Sequence, residues 1–458
     1  MAAKVDLDAL IERADFDETT QTTSVSNWGA NRTGIQPREL EKTDLFFSLL
    51  RKPDFQRETA EWDANKIKDL IGCFIAGDVI PAVILWIGNN GLIYVIDGAH
   101  RLSALAAWVN DDYGFGAVSK KFHDGDISEE QKNTHEDVKT LIDNSIGSYE
   151  SHLLLSTKPD KVSDKIAAQA RKLGFLQIPM QLVTGTSGKA ANSFRKINAQ
   201  GVALNATERK ILDSRGKPRG IATRAIYKGG TGFKYWSKFP EPLQKEVVFL
   251  AKELHALLYL PIISYPVKTL DLPLAGKARA SYGLTLVWEL ITIVSPPPEK
   301  VKIKAIKAGQ GAIKEADDIE GERTLELLTQ CRKVIQRILS VDESSLGLHP
   351  VVYCYALNGQ YKPASFYALV ALVLDLESGD LFIKFTKVRS KLEELLVSND
   401  YIVQQIVRAI EFRINNGYGV SHSKSVRVWR LAPGRRPASS ASAGHRTGRP
   451  TPSRASDP

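Results

Sequence analysis

The sequence predicts an α+β fold, with a small mixed sheet and packed helices first and a mainly α-helical domain after them. Two apolar runs, over residues 80–88 and 92–97, flank an Asn-Asn-Gly turn, which is typical of a β-hairpin. A third strand-like run follows at residues 175–185. From about residue 216 onward, apolar residues recur mainly at the spacing of α-helices.

Length and composition are those of a globular protein with more than one folded unit. The chain has 458 residues, of which 43% are hydrophobic and 25% are charged, and this length exceeds the usual size of one domain. We predict a flexible N-terminal segment (1–37), an α+β domain (38–215) with a helical insertion at about 116–172, a mainly helical domain (216–420) and a disordered basic tail (421–458).

Charge, cysteine content and the length of the apolar runs indicate which partners and which compartment the sequence favours. The net charge of +9 is compatible with a polyanionic partner, although part of it lies in residues 431–458, which contain arginine but no lysine. The three cysteines are far apart in the sequence and form no disulfide framework, which favours a reducing cytoplasm. The longest apolar runs are too short or carry acids, so we expect no membrane span.

Two helices are predicted before the hairpin. Residues 37–51 have apolar side chains at helical spacing, and residues 63–78 form a second candidate helix that Asp63 or Asn65 could cap. The buried face of this second helix is predicted to consist of Ile67, Leu70, Ile71 and Phe74.

Further helices are predicted around the third strand. In the insertion, Ser128 and Gln131 have the spacing of a capping box. Residues 191–215 have the pattern of two helices joined by a turn, where Asn205 would cap the second helix and Glu208 would complete the cap.

The junction of the second hairpin strand with the next helix carries the candidate functional residues. Asp97, Gly98, His100 and Arg101 lie where free backbone N–H groups at a helix N-terminus favour an anion. A cation in the first turn opposes the helix dipole by roughly 0.3–1 kcal/mol. A bound phosphate would reverse that sign, since Arg101 would then offer two parallel donors.

A structural interpretation of this turn fits the local sequence equally well. Asp97 could simply offset the charge of Arg101. It could also orient His100 or Arg101, or position a metal ion.

Three motifs resemble one family when they are taken in order. The stretch VIDGAHRLSAL (95–105) resembles the I-D-G-Q-Q-R-L signature of GmrSD-type restriction endonuclease N-terminal domains, within the ParB/sulfiredoxin-like superfamily. Residues 55–85 resemble that family's Q-R-x-x-x-W segment with its helix and strand, and residues 194–208 resemble its F-x-x-I-N-x-x-G-x-x-L-x-x-x-E segment. The resemblance covers roughly residues 40–215 and implies a ParB/sulfiredoxin-like fold.

The resemblance also implies roles for individual residues. The nucleotide-phosphate or nucleic-acid-backbone site would consist of Gln56, Arg57, Gly98, His100, Arg101, Arg195 and Asn198. Trp62 is expected to anchor its loop rather than stack on a ligand, and Glu208 is expected to cap a helix. Asp97 and His100 are the candidates for catalysis, and Asp97 is the candidate ligand for Mg²⁺ bound with a nucleoside triphosphate.

Two departures from the family pattern limit the inference. Ala99-His100 stands where the family has two glutamines, and Ala99 also excludes the reactive cysteine that sulfiredoxins place in this turn. No nuclease motif is found among the eight histidines.

Three functions therefore remain open. The first is a nucleotide-binding, NTP-hydrolysing component of a prokaryotic DNA-restriction or anti-phage system that acts with DNA or a partner nuclease. The second is a DndB-like DNA-binding regulator without turnover, because His100-Arg101 matches the D-G-Q-H-R version of the motif. The third is a scaffold subunit that keeps the fold without an active pocket.

Overall fold

The computed structural model of the protein describes residues 4–16, 32–54, 56, 59, 62–157, 160, 164–200, 206–260, 274, 279–295, 315–355, 359 and 361–398. Its strands are β1 (Arg13–Ala14), β2 (Gly34–Ile35), β3 (Leu50–Pro53), β4 (Val83–Ile87), β5 (Ile93–Asp97) and β6 (Ile178–Val183). The helices before β6 are α1 (Leu45–Leu49), α2 (Ala64–Ala76), α3 (Ala99–Asn110), α4 (Ala117–Phe122), α5 (Glu129–Ser145), α6 (Tyr149–Thr157) and α7 (Asp164–Leu173). The helices after β6 are α8 (Ser187–Gln200), α9 (Ala206–Asp213), α10 (Pro218–Tyr227), α11 (Glu241–Tyr259), α12 (Arg279–Val294), α13 (Glu322–Leu339), α14 (Pro350–Tyr353), α15 (Pro363–Ser378) and α16 (Phe382–Ser398).

The strands form one mixed sheet in the order β1-β3-β5-β4-β6-β2. β5 lies antiparallel to its hairpin partner β4 and parallel to β3, while β6 lies parallel to β4. This sheet, together with many helices, agrees with the predicted α+β class. The chain leaves the sheet at the carboxyl end of β5 and enters α3 directly, so the sheet and that helix together fix the position of the turn between them.

Both faces of β5 are buried, which explains its continuous apolar sequence. Ile93 and Val95 belong to the main core of the sheet region, together with residues of α2, α3 and α5. Tyr94 and Ile96 belong to a second apolar cluster on the opposite face, which includes Phe194 of α8. A strand covered on both sides holds its last residue firmly, because neither face can shift without losing buried apolar contacts.

The predicted hairpin, the second helix and the return strand are confirmed. β4 and β5 pair across the Asn-Asn-Gly turn, and β6 pairs with β4. The Asp63 carboxylate accepts a hydrogen bond from the Lys66 amide at 3.0 Å and so caps α2, as one of the two proposed caps. On the predicted buried face of α2, Ile67, Ile71 and Phe74 are buried and Leu70 is partly exposed.

The N-terminal segment, defined here as residues 4–16, is part of the core and is not flexible. Val5, Leu7, Leu10 and Ile11 are each at most 2% exposed, and β1 extends the sheet beside β3. The segment contains turns and the strand β1. The prediction of a flexible segment over residues 1–37 is therefore wrong for residues 4–16 and for 32–37, which contain β2. The burial of the N-terminal segment depends on pairing with the edge of the sheet, which the local sequence cannot reveal.

The single helix predicted over residues 37–51 is also corrected. A 3-10 turn covers Pro37–Leu40, and the side chain of Asp44 caps the short helix α1. Strand β3 then begins at Leu50, within the predicted helix. Parallel pairing of β3 with both β1 and β5 overrides the helical spacing of its apolar residues.

The region from residue 218 onward is helical and has a core of its own. Side chains from α10, α11, α12, α13 and α15 form this core, which includes Ile226, Leu254, Ile291, Ile335 and Val370. An isolated antiparallel bridge joins Tyr355 and Tyr361, on either side of the Asn358-Gly359 pair, which is typical of a hairpin turn. Asn358 itself and residues 399–458, including the predicted basic tail, lie outside the described residues.

Candidate functional site

A glycine in the left-handed conformation forms the turn between β5 and α3. Gly98 has φ +91° and precedes the first residue of α3. A Cβ atom at this position would lie 2.6 Å from Cγ1 of Val83, so the turn requires glycine for both its backbone angle and its space. No side chain caps α3. The first N–H groups of an α-helix have no carbonyl partner within the helix, and such groups at helix starts can bind anions in general.

Arg101 is held at this turn by two acceptors. Its Nη2 lies 2.7 Å from Oδ2 of Asp97 and 3.2 Å from the carbonyl oxygen of Ala82. The two side chains are 20% and 31% exposed for Arg101 and Asp97, respectively. Among the alternatives for Asp97, this ion pair fits both offsetting the charge of Arg101 and orienting its guanidinium. The pair remains open to water, so a ligand could compete with Asp97 for the guanidinium.

His100 lies against the loop that joins β3 to α2. Its ring stacks on the indole of Trp62, with the ring centroids 5.7 Å apart and the planes inclined by 26°. Trp62 therefore packs on the turn itself, which agrees with its expected role as an anchor of the loop. The contact also fixes the direction in which the imidazole faces.

Gln56, from the same loop, lies at the carboxyl end of β5. Its side chain is buried, and its Nε2 donates hydrogen bonds to the carbonyl oxygens of Val95 at 3.0 Å and Ile96 at 3.4 Å. The structure thus brings Gln56, Trp62 and the turn together, although the amide nitrogen of Gln56 is already used by the strand. Arg57 lies outside the described residues.

The third motif is carried by α8, which covers the other face of the sheet. Phe194 and Ala190 of this helix pack with Ile96 of β5. Arg195 and Asn198 belong to the same helix, but their side chains lie outside the described part of the structure, as does the side chain of Glu208 in α9. The structure therefore places their helices without placing their functional groups.

The N-terminal segment holds the loop between β3 and α2 in place. The Val5 amide donates to the carbonyl oxygen of Trp62 at 2.9 Å, and Nη1 of Arg13 donates to the carbonyl oxygen of Gln56 at 2.6 Å. These contacts act on the two loop residues that reach the turn. Sequence reasoning missed them because partners more than forty positions apart leave no local pattern.

A buried ionic cluster secures this arrangement. Asp8 accepts hydrogen bonds from Nη2 of Arg13 at 2.8 Å and from Nζ of Lys52 at 2.6 Å, and also from the Thr59 amide at 3.0 Å. Burial opposes ionisation of Asp8, but Arg13 and Lys52 hold its pKa well below the usual value. Burial lowers the pKa of Lys52 to about 8 against the attraction of Asp8.

Metal-binding and membrane-spanning features are both missing from the part of the chain that the structure describes. No three His, Cys, Asp or Glu side chains there are grouped as in a metal centre. At the turn, Asp97 is the carboxylate of the described ion pair with Arg101. None of the described helices is long and apolar enough to cross a bilayer.

Comparison with known proteins gives one match. Residues 40–213 match the family model of the GmrSD restriction endonuclease N-terminal domain, so this part of the chain is close to that domain. The match includes the turn, the loop with Gln56 and Trp62, and helix α8. Neither a search of curated proteins nor a search of solved structures finds a match to the chain.

Proposed function

We propose that the turn between β5 and α3 binds a phosphate group of a nucleoside triphosphate. The protein would then be a nucleotide-binding, NTP-hydrolysing component of a prokaryotic restriction or anti-phage system, acting with DNA or a partner nuclease in the cytoplasm. The observation that carries the proposal is the left-handed Gly98 at an uncapped helix start, with the half-open guanidinium of Arg101 beside it. The family match supports the restriction context. The ParB/sulfiredoxin-like fold of residues 38–215 is part of the proposal and follows from the motif resemblance.

Phosphate binding at this turn would exchange one partner of Arg101 for another. The helix start supplies N–H donors, and Arg101 supplies a charged donor whose position the Ala82 carbonyl already fixes. A phosphate has more charge and more acceptor oxygens than the Asp97 carboxylate, so it would gain hydrogen bonds from both sources at once. His100, held by Trp62, would add a donor at the same place.

Hydrolysis would need a divalent ion and a group that orients water. Mg²⁺ is commonly held by one or two carboxylates together with the phosphates of the substrate. Asp97, freed from Arg101 by the phosphate, has the chemistry for the single protein ligand. His100 is then the group that we assign to orienting or deprotonating the attacking water. This division gives the two residues distinct roles that variants can separate.

The experiment compares nucleotide binding by the wild type with that of two arginine variants. We expect at least one of the four nucleoside triphosphates, with Mg²⁺, to bind in isothermal titration calorimetry. We expect Arg101→Ala to weaken that binding roughly ten- to hundredfold, because one charge-assisted contact is lost. Arg32→Ala is the matched control, since Arg32 also pairs with an acid (Glu39) and is similarly exposed, but lies near the start of β5.

Two outcomes would contradict the proposal. One is a wild type that binds none of the four nucleotides with or without Mg²⁺. The other is an Arg101→Ala variant that binds as tightly as the Arg32→Ala control. If duplex DNA instead binds in a manner that weakens steeply with salt and depends on Arg101, the DndB-like regulator becomes the better assignment.

A further inference from the structure

Arg224 of α10 is a buried arginine to which the described residues offer no acid. The residue is 7% exposed, and its Nη1 has no hydrogen-bond partner among the residues that the structure describes. The guanidinium lies over the ring of Tyr235, with Cζ 4.3 Å from the ring centroid. A cation–π contact satisfies one face of the group, but it leaves the N–H donors at its edge unused.

Asp54 is a carboxylate that feels this charge, but it is already bound elsewhere. Burial raises the pKa of Asp54 above its usual value, and the charges of Arg215 and, less strongly, Arg224 oppose that rise. Asp54 is held by Nε of Arg215 at 2.9 Å and by the Phe16 amide at 3.3 Å. Arg224 makes no such contact with it. Asp54 therefore pairs with Arg215, and no ion pair of Arg224 is found among the described residues.

Arg224 is a second cation that acts on Asp54, besides Arg215, which forms the ion pair with it. Asp15, the other acid that acts on Asp54, forms an ion pair with Lys238 at 2.6 Å. Both acids are thus ion-paired with other cations, while Nη1 of the buried Arg224 has no partner among the described residues. A buried guanidinium without a counterion is unfavourable, so the arrangement favours binding of an anion.

We propose that Arg224 is the centre of a second anion site, which takes a small oxyanion such as a phosphate group. The planar guanidinium offers paired donors that match two phosphate oxygens. Duplex DNA could not reach a side chain that is 7% exposed, whereas a free phosphate or the terminal phosphate of a nucleotide could. The site lies where α10 of the helical region meets the sheet region, because the Tyr235 hydroxyl donates to the Asp54 carbonyl oxygen at 3.1 Å.

The test measures the effect of inorganic phosphate on the full chain. Every variant measured in phosphate carries Arg101→Ala, so that phosphate binding at the turn after β5 does not contribute. Thermal unfolding is measured for Arg101→Ala and for Arg101→Ala combined with Arg224→Met, in phosphate and in sodium chloride of equal ionic strength. We expect phosphate to raise the Tm of Arg101→Ala. We expect no rise for the double variant. The same pair measured with ATP and with a 20-base-pair duplex separates a nucleotide phosphate, which should raise Tm, from a DNA backbone, which should not.

A matched control and a second readout separate an anion site from a structural arginine. Arg219, also on α10, has its own ion pair with Glu315, so Arg101→Ala with Arg219→Met should keep the phosphate effect. In phosphate-free buffer, Arg224→Met should unfold at a temperature no lower than the wild type, because it removes a buried charge that has no ion pair among the described residues. A large loss of stability there, or a phosphate effect that survives Arg224→Met, would overturn the proposal.

The outcome is independent of the function proposed above. If Arg101→Ala alone abolishes the whole phosphate effect, the turn is the anion site and the Arg224 proposal is wrong. If phosphate stabilises the protein through Arg224 while nucleotide binding ignores Arg101, the Arg224 site stands and the proposed function fails.

Discussion

Two clusters of charged side chains in the sheet region differ in how far solvent can reach them. At the turn after β5, the side chains of Arg101 and Asp97 are 20% and 31% exposed. In the cluster of the N-terminal segment, those of Lys52 and Asp8 are 0% and 4% exposed. Both clusters pair an arginine or lysine with an aspartate at hydrogen-bond distance. The two clusters therefore differ in their exposure to solvent and not in the chemistry of their side chains.

The difference assigns different roles to the two clusters. Asp8 has three donors from the protein, namely Arg13, Lys52 and the Thr59 amide, and nothing from outside can replace them without unfolding the segment. Asp97 pairs with Arg101 at the carboxyl end of β5, beside the start of a helix that no side chain caps. An ion pair that is open on one side can exchange partners with a ligand, whereas a closed one serves stability.

The largest expected effect is on stability when Asp8 is removed. Asp8→Ala leaves Lys52 and Arg13 buried without their anion, which should lower the free energy of unfolding by about 3–5 kcal/mol. Asp97→Ala should cost about 0–1 kcal/mol, because its pair is partly exposed. Urea denaturation followed by circular dichroism measures both values.

The surface pair of Asp126 and Lys252 supplies the baseline for this comparison. These side chains are more than half exposed, so Asp126→Ala should change the free energy of unfolding as little as Asp97→Ala. Equal losses for Asp8→Ala and Asp97→Ala would show that the two clusters do not differ in the way that their exposure indicates.

The second prediction concerns the glycine that keeps the turn open. Gly98→Ala adds a left-handed alanine, which costs about 1–2 kcal/mol, and a collision with Val83, which costs roughly 1–3 kcal/mol more. Gly91→Ala is a matched control, because Gly91 also has positive φ but has open space around its Cβ position. We expect Gly98→Ala to be the more destabilised variant in urea denaturation and the only one of the two to lose nucleotide binding. Equal losses of stability in the two variants would contradict the steric argument.

The parts of this molecule that sequence could predict are those set by neighbours along the chain. The β4–β5 hairpin, the cap at Asp63 and the apolar stripe of α3 at Leu102 and Leu105 depend on residues only a few positions apart. For the same reason the turn at 97–101 could be singled out, since an acid, a glycine and two basic residues meet there in sequence.

The parts that sequence could not predict depend on distant partners. β1 and β2 are two residues long and exist because they pair with β3 and β6. Nothing in the sequence distinguishes Lys52 from a surface lysine, because its partner Asp8 lies 44 positions away. Likewise, the family resemblance assigns Gln56 to the ligand site, but its amide nitrogen donates to the carbonyl oxygen of Val95 in β5. Each of these features follows from tertiary contacts that have no local signature.

The smallest expected effect is a pH dependence that separates the buried cluster from surface pairs. Burial lowers the pKa of Lys52 from 10.5 to about 8. Between those two values the unfolded chain binds more protons at this lysine than the folded chain, so the free energy of unfolding should rise with pH. For one proton the slope is at most about 1.4 kcal/mol per pH unit. Lys52→Met removes the titrating group and should remove this rise.

Lys252→Met, at the exposed pair with Asp126, serves as the control and should keep the alkaline rise of the wild type. In the acid range the free energy of unfolding also rises with pH, but for a different reason. The depressed pKa of Asp8 contributes stability above its unfolded value of 3.8, and this contribution is lost as pH falls. The stability difference between the wild type and Asp8→Ala should accordingly shrink below about pH 4. A difference that is constant across both pH ranges would mean that water reaches the cluster, and the contrast with the open turn would then disappear.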